Sequence, residues 1–222
     1  FSMACTQFSS AVDELGLEVE NCESRLLLSG SFNHGEDVDD LTQSLIYGID
    51  TSAYQVNKLF FLEGEDAWPP EQDEVILDAH MSAMFKIEVG DVVSLLIPGI
   101  NTTSHNFTVI AFAYSSEHLL FAPESSFFPG EDFSIAYMTS EQLAAIASIG
   151  MDSRNNLLID IKGNPNFDFP DTQDKDEGPE LTAAKPLLMQ ILNQNGIQAS
   201  SVYDRGGLQG NEFLRLDLQG NK

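Results

Sequence analysis

The first apolar pattern in the chain is helical. Apolar side chains recur at spacings of four, three, four and three residues, at Phe1, Cys5, Phe8, Val12 and Leu15. This spacing places them on one face of a helix, and Gly16 is a typical C-terminal stop. The pattern predicts a helix that ends near Gly16. Two explanations of the apolar face stay open: packing on the domain's own core, or a helix that continues from an upstream segment.

Extended segments follow this helix. Residues 25–32, 41–49 and 59–62 are rich in apolar side chains, and clusters of turn-forming residues separate them, as expected of neighbouring strands. The sequence Trp68-Pro69-Pro70 then interrupts regular structure, because proline fixes its own φ and disfavours helix in the residue before it. We therefore predict that residues 1–66 form one part of the fold and that a subdomain boundary follows.

The middle of the chain is predicted to be rich in strands. Residues 74–78, 92–97 and 106–114 have the apolar composition of strands, and residues 79–85 that of a short helix. Gly90 allows the positive φ of a tight turn, and Asp91 can hydrogen-bond its own backbone there. Residues 67–130 are accordingly expected to form an inserted β-rich subdomain, a compact barrel or sandwich.

The last part of the chain alternates strands with helices. Strands are predicted at residues 133–138, 156–161 and 198–203, and helices at residues 140–149 and 181–195. Thr139 and Gln142 have the spacing of a capping box, in which each side chain satisfies a free backbone N–H at the start of a helix. Residues 131–205 are read as the second half of the first subdomain. Residues 206–222 are read as a tail with too few apolar residues for a core of its own.

Charge restricts the partners of the protein. The chain has 10 Lys and Arg against 35 Asp and Glu, a formal net charge of −25. Such an excess repels phosphate backbones and anionic lipid surfaces, so nucleic acid is not expected as a partner. No apolar run approaches the roughly 20 residues that span a bilayer. Cys5 and Cys22 are too few for a disulfide scaffold and fit no zinc pattern, and their redox state stays open.

An irregular acidic run at residues 163–180 is the best candidate for a metal site. Carboxylates in this run could offer oxygen ligands to a hard cation such as calcium, at Asp168, Asp171, Asp174 and Asp176. The run lacks the register of an EF-hand, which needs acidic residues at alternating positions, a central glycine and a closing glutamate. We therefore predict a solvated, exposed loop that binds no specific metal.

Catalytic motifs are absent from the sequence. The nucleophile elbow, the dinucleotide-binding and phosphate-binding glycine patterns and the paired zinc histidines do not occur. The histidines occupy different predicted elements without paired spacing, at His34, His80, His105 and His118. An isolated histidine is usually a surface residue or a satisfied core residue. The sequence thus predicts no enzyme activity, no catalytic residue, no metal ligand and no cofactor.

An ordered series of short motifs is more specific. Residues 74–114 contain the strand EVILD, the short helix AHMSAMFKI, the turn Val89-Gly90-Asp91, the strand VVSLLI and a second strand that begins NFTVI. IYGID at residues 46–50 and FLEGE at residues 61–65 precede them, and FSIAYM and SEQL follow at residues 133–138 and 140–143. In this order the motifs resemble the periplasmic core domain of MacB-like and FtsX-like ABC transporter permeases. The chain departs from that pattern at Ala111-Phe112-Ala113, where the family often has a glycine, and in its acidic run.

The resemblance implies an α+β fold with a mixed α/β subdomain formed by both chain ends and a small β-rich subdomain inserted between them. It implies that the first helix continues a transmembrane helix and that the tail leads into the next one. The implied partners are a cytoplasmic ABC ATPase, a second permease copy and a cargo such as a lipoprotein, lipid or peptide. The implied role is to transmit ATPase-driven motion or to contact the cargo outside the membrane.

Two other classes of protein remain as alternatives. The turn Val89-Gly90-Asp91 and the strand after it also suit small β-barrels of the double-psi kind. A free secreted binding module or substrate-binding protein would suit the acidic surface and the exposed loops. Coding sequence for apolar helices on both sides of this chain would favour the permease, and nearby start and stop signals would favour a free protein.

Overall fold

The computed structural model describes residues 1–33, 41–52, 56–97, 103–115, 133–162, 179–199 and 202. Its elements in chain order are α1 (Ser2–Asp13), β1 (Val19–Asn33), β2 (Leu41–Ile49), β3 (Phe60–Glu63), β4 (Glu74–Asp78), α2 (His80–Phe85), β5 (Val92–Ile97), β6 (Thr103–Tyr114), β7 (Phe133–Thr139), α3 (Ser140–Ile146), β8 (Asn156–Ile161) and α4 (Pro179–Gln194). The predicted α+β class is confirmed. The acidic run at residues 163–178, most of the predicted last strand and the tail at residues 206–222 lie outside the described residues.

The chain divides into two compact units. The terminal unit comprises Phe1–Ser24 and Arg154–Lys222, and the barrel unit comprises Arg25–Ser153. One unit is therefore built from both chain ends and the other is inserted between them. The sequence placed the unit boundaries after residues 66 and 130, whereas the structure has them after residues 24 and 153. The reason is strand pairing: β1, β2 and β7 join the strands of the middle segment, and the proline cluster at residues 69–70 lies within the barrel unit.

The barrel unit contains a ring of strands that closes on itself. The described pairs are β1–β2, β2–β7, β7–β4, β4–β6, β6–β5 and β5–β1, of which β2–β7 and β4–β6 are parallel and the others antiparallel. A closed ring leaves no strand edge along its circumference. The short strand β3 pairs with β6 beyond the end of β5. A barrel was expected for residues 67–130 alone, but half of its strands come from outside that range.

The turn before β5 has the predicted geometry. Gly90 has φ +99°, and the side chain of Asp91 accepts a hydrogen bond from the backbone N–H of Glu88 at 2.9 Å. Gly90 N donates to Val109 O at 2.7 Å, and Val109 N donates to Asp91 O at 2.8 Å. The turn therefore bonds to the middle of β6, and β5 and β6 pair as expected.

The capping box at α3 is confirmed only in part. Thr139 Oγ1 accepts a hydrogen bond from Gln142 N at 3.2 Å, so the first half of the motif satisfies a free backbone N–H. With its amide oriented to suit its neighbours, the Gln142 side chain donates to Glu71 O at 3.1 Å and accepts from Asp73 N at 3.0 Å. Gln142 thus connects α3 to the turn before β4 instead of closing the box.

The terminal unit has its own core, in which the apolar face of α1 is buried. Buried side chains of α1, β8 and α4 form one cluster, at Ala4, Phe8, Val12, Leu157, Ala184, Leu188, Ile191 and Leu192. Asn195 Nδ2 also donates to Gln7 Oε1 at 2.7 Å. Of the two explanations left open by the sequence, packing on the domain's own core accounts for this face of the helix.

A disulfide bond joins α1 to β1. Its partners are Cys5 and Cys22, the pair whose redox state the sequence left open. The bond closes a loop with a sequence separation of 17 residues, which in a chain-entropy model stabilises the folded state by about 3 kcal/mol. The terminal unit is therefore stabilised both by its apolar core and by this covalent link.

Candidate interaction site

The barrel unit buries a carboxylate at the end of β4. Asp78 is 0% exposed, because β4 lies between β6 and β7 in the sheet. Its Oδ1 accepts a hydrogen bond from His80 N at 3.0 Å and lies 2.7 Å from His80 Nδ1. Its Oδ2 is buried without a hydrogen-bond partner in the described part of the chain. Asp78 therefore fixes both the start of α2 and the position of the His80 ring.

Burial raises the pKa of Asp78 above its usual value of 3.8, because the ionised carboxylate loses its hydration. The hydrogen bonds to the backbone and ring of His80, and its charge, act in the opposite direction but are the smaller influences. The folded protein thus holds a proton on Asp78 at a pH where the unfolded chain has released it.

The raised pKa of Asp78 predicts how the stability of the folded protein depends on pH. The contribution of protonated Asp78 to the free energy of unfolding is fully present below pH 3.8, the usual pKa of the group. This contribution is lost as the pH rises through the higher pKa that Asp78 has in the folded state. Asp78→Asn removes the titrating group, so we expect the variant to lose less stability than the parent as the pH rises through this window. Urea unfolding from pH 4 upward measures it, with the exposed Asp66→Asn as control. Identical pH profiles for Asp78→Asn and the parent would contradict the prediction.

The ring of His80 connects this carboxylate to an apolar surface. Its side chain is 39% exposed, and its ring packs edge-on against Tyr114 with centroids 5.2 Å apart. Tyr114 is the cross-strand partner of Phe60, so both side chains lie on the same face of the β3–β6 pair. Phe60, Leu62 and Tyr114 are 72%, 61% and 38% exposed. We call these three residues the β3 surface.

The backbone of β3 is held firmly beneath this surface. Phe61 faces inward, where its ring lies 6.0 Å from that of Trp68 against the barrel core. A bulge between Phe61 and Glu63 leaves Leu62 as the extra residue of β3. The following Gly64 has φ +82° and lies so close to Ile110 and Ala111 that no side chain fits there. The β3 surface is therefore presented by a rigid strand.

The candidate residues from the sequence are only partly within the described chain. His34, His118, Asp168, Asp171, Asp174 and Asp176 lie outside it. His80 begins α2, and His105 lies on β6. Among the residues that the structure describes, no group of three or more His, Cys, Asp or Glu side chains is placed to hold a metal ion.

Neither the Asp78–His80 pair nor the β3 surface was predicted from the sequence. The available signals were a carboxylate directly after the apolar strand EVILD, with a histidine two residues later, and four successive apolar residues at 59–62. In a strand, successive side chains point to opposite faces, so such a run exposes apolar side chains wherever one face is not covered.

In the part of the chain covered by the structure, no helix has the length and apolar character needed to cross a membrane.

No protein-family model and no curated protein sequence matches the chain. Solved structures similar to it include the extracellular domain of the ABC-type transporter YknZ from Gram-positive bacteria, at 13% identity and a TM-score of 0.44 over 86% of this chain and 82% of that one. The periplasmic region of MacB from Actinobacillus actinomycetemcomitans is similar at 16% identity and a TM-score of 0.42, over 85% of this chain and 74% of that one.

Proposed function

We propose that this chain is the extracytoplasmic domain of an ABC transporter permease. The observation that carries the proposal is the insertion architecture, in which one unit is built from both chain ends and the barrel unit is inserted between them. α1 and α4 share one core in the terminal unit. This arrangement suits a domain placed between two transmembrane helices, because the chain then enters and leaves through the same unit.

The disulfide supports a position outside the cytoplasm. Disulfide bonds persist in oxidising compartments and are rare in cytosolic proteins, where thiols are kept reduced. Cys5 and Cys22 are the two cysteines of the chain, and they are bonded to each other. The net charge of −25 is also compatible with a domain that stays in solution above an anionic membrane.

In this proposal, a cytoplasmic ABC ATPase drives the membrane part of the permease, and a second permease copy completes the transporter. The domain transmits the ATPase-driven motion to a partner outside the membrane or contacts a lipoprotein, lipid or peptide cargo. The closed strand ring of the barrel unit suits transmission, because a ring without free edges resists deformation. The domain itself is expected to carry out no catalytic step.

A free secreted binding module would also contain a disulfide and an acidic surface, so these features do not separate it from a permease domain. The complete reading frame separates the two. For a permease, it is expected to encode apolar helices on both sides of the 222 residues, and the full-length product should sediment with membranes and copurify with an ABC ATPase. A product of about this length that is recovered from the medium without an ATPase would contradict the proposal.

A further inference from the structure

We propose that the β3 surface, formed by Phe60, Leu62 and Tyr114, docks a basic segment of a partner protein in which Lys or Arg side chains alternate with apolar ones. The inference rests on the proposed function in one respect, the expectation of a partner outside the membrane. Its direct evidence is the exposure of these side chains on a rigid strand and the charge of the chain around them.

The apolar side chains of the β3 surface are largely exposed to solvent. Phe60 and Leu62 are 72% and 61% exposed, and Tyr114 continues the surface onto β6 as the partner of Phe60. Inward packing of Phe61 and the close approach at Gly64 fix their backbone. A surface that is already rigid loses little conformational entropy on binding, so burial of these side chains contributes directly to affinity.

The charge next to the surface is strongly negative. Residues 59–74 contain six Asp and Glu and no Lys or Arg. Glu63 follows Leu62 directly and is exposed, as is Asp66, while the exposed Lys58 is the nearest cation before Phe60 in the sequence. Carboxylates therefore predominate on the C-terminal side of the surface, and they attract Lys and Arg side chains of a partner.

The same charge argues against two other occupants. A second copy of this chain would bring two proteins with a net charge of −25 each into contact, and their acidic segments would repel each other. An anionic lipid surface would repel the segment in the same way. A basic segment avoids both costs, because its cations pair with the carboxylates and stack on aromatic faces while its apolar side chains cover Phe60 and Leu62.

The test measures binding of designed peptides to the whole chain by fluorescence anisotropy. The main probe is a short peptide of alternating Lys and Leu, and two matched peptides replace Lys by Glu or Leu by Ser. We expect the Lys–Leu peptide to bind more tightly than either of the others. Phe60→Ser and Leu62→Ser should each weaken its binding about tenfold, as expected for the loss of a buried apolar side chain.

Val92→Ser is the matched control variant, because Val92 is 65% exposed, lies in the same unit and is outside the β3 surface. Its affinity should equal that of the parent. Equal weakening by Val92→Ser would overturn the proposal by showing that the apolar contribution is not specific to the β3 surface. Equal binding of the Lys–Ser peptide would overturn it by showing that net charge alone attracts the probe. Binding to phosphatidylglycerol vesicles, or a dimer that Phe60→Ser dissociates, would overturn it in favour of a lipid or a second copy. None of these outcomes affects the result of reading the complete frame, so the docking proposal and the permease proposal can be contradicted independently of each other.

Discussion

Replacing Gly64 by alanine is expected to lower the free energy of unfolding of the barrel unit by about 3 kcal/mol. At φ +82° the new side chain would adopt a strained backbone conformation, and its Cβ would fall onto the carbonyl oxygen of Ile110 and within 2.8 Å of Ala111 Cα. Backbone strain and overpacking each cost about 1 to 3 kcal/mol. Neither neighbour can move easily, because both are backbone atoms of β6.

Gly90→Ala is the matched control for this prediction. Gly90 also has a positive φ, +99°, but nothing lies within 4 Å of the position of its Cβ, so only backbone strain of about 1 kcal/mol is expected. Denaturant unfolding monitored through Trp68, the one tryptophan of the chain, measures both variants. If Gly64→Ala is no less stable than Gly90→Ala, the close approach of β3 to β6 is not as described.

Loss of the disulfide is expected to destabilise the terminal unit by a similar amount. Reduction of the Cys5–Cys22 bond should lower its free energy of unfolding by about 3 kcal/mol, because the unfolded chain regains the freedom of the closed loop. Thermal unfolding followed by circular dichroism, with and without a reductant, measures the effect.

The control is the double variant Cys5→Ala with Cys22→Ala, whose unfolding should match that of the reduced parent and should not respond to the reductant. A count of reactive thiols under denaturing conditions without reductant provides the decisive comparison. Two free thiols per chain would contradict the bond, and with it the support that the bond gives to a position outside the cytoplasm.

Individual strands could be predicted from the sequence wherever turn residues bound an apolar run. The bounds of β2, β4, β5 and β8 are those that the sequence indicated. The beginning of β1 was missed, because residues 19–24 (VENCES) contain few apolar side chains. β8 lies beside β1 in the sheet, and Lys162 N donates to Glu18 O at 2.8 Å just before this segment. Its extended conformation thus depends on a partner far away in the sequence.

The subdomain boundaries could not be predicted for the same reason. Prolines at residues 69–70 mark a break in local structure, but membership of a barrel is decided by which strands pair. Ser31 of β1 pairs with Leu96 of β5, and Gln43 of β2 pairs with Phe133 of β7. Such pairs join residues far apart in the chain, and no periodicity within a single strand specifies them.

The candidate site could not be predicted from the sequence, because its properties depend on which side chains the fold buries and which it exposes. Asp78 looks like an ordinary turn carboxylate after a strand, and only the position of β4 between β6 and β7 removes it from water. Phe60 looks like a core residue, and only the pairing with Tyr114 places it on an exposed face. Residue type was visible in both cases, whereas the environment that gives each residue its properties was not.

The most direct test of the permease proposal is the accessibility of one introduced cysteine in intact cells. Ala145 lies on the exposed face of α3, and Cys5 and Cys22 are joined in the disulfide, so Ala145→Cys in the full-length protein supplies a single free thiol within this chain. For a permease domain, a membrane-impermeant maleimide is expected to label this thiol in cells whose cytoplasmic membrane is intact, and the labelled protein is expected to sediment with membranes. Labelling only after the cytoplasmic membrane has been permeabilised would place the domain inside the cell and contradict the permease proposal.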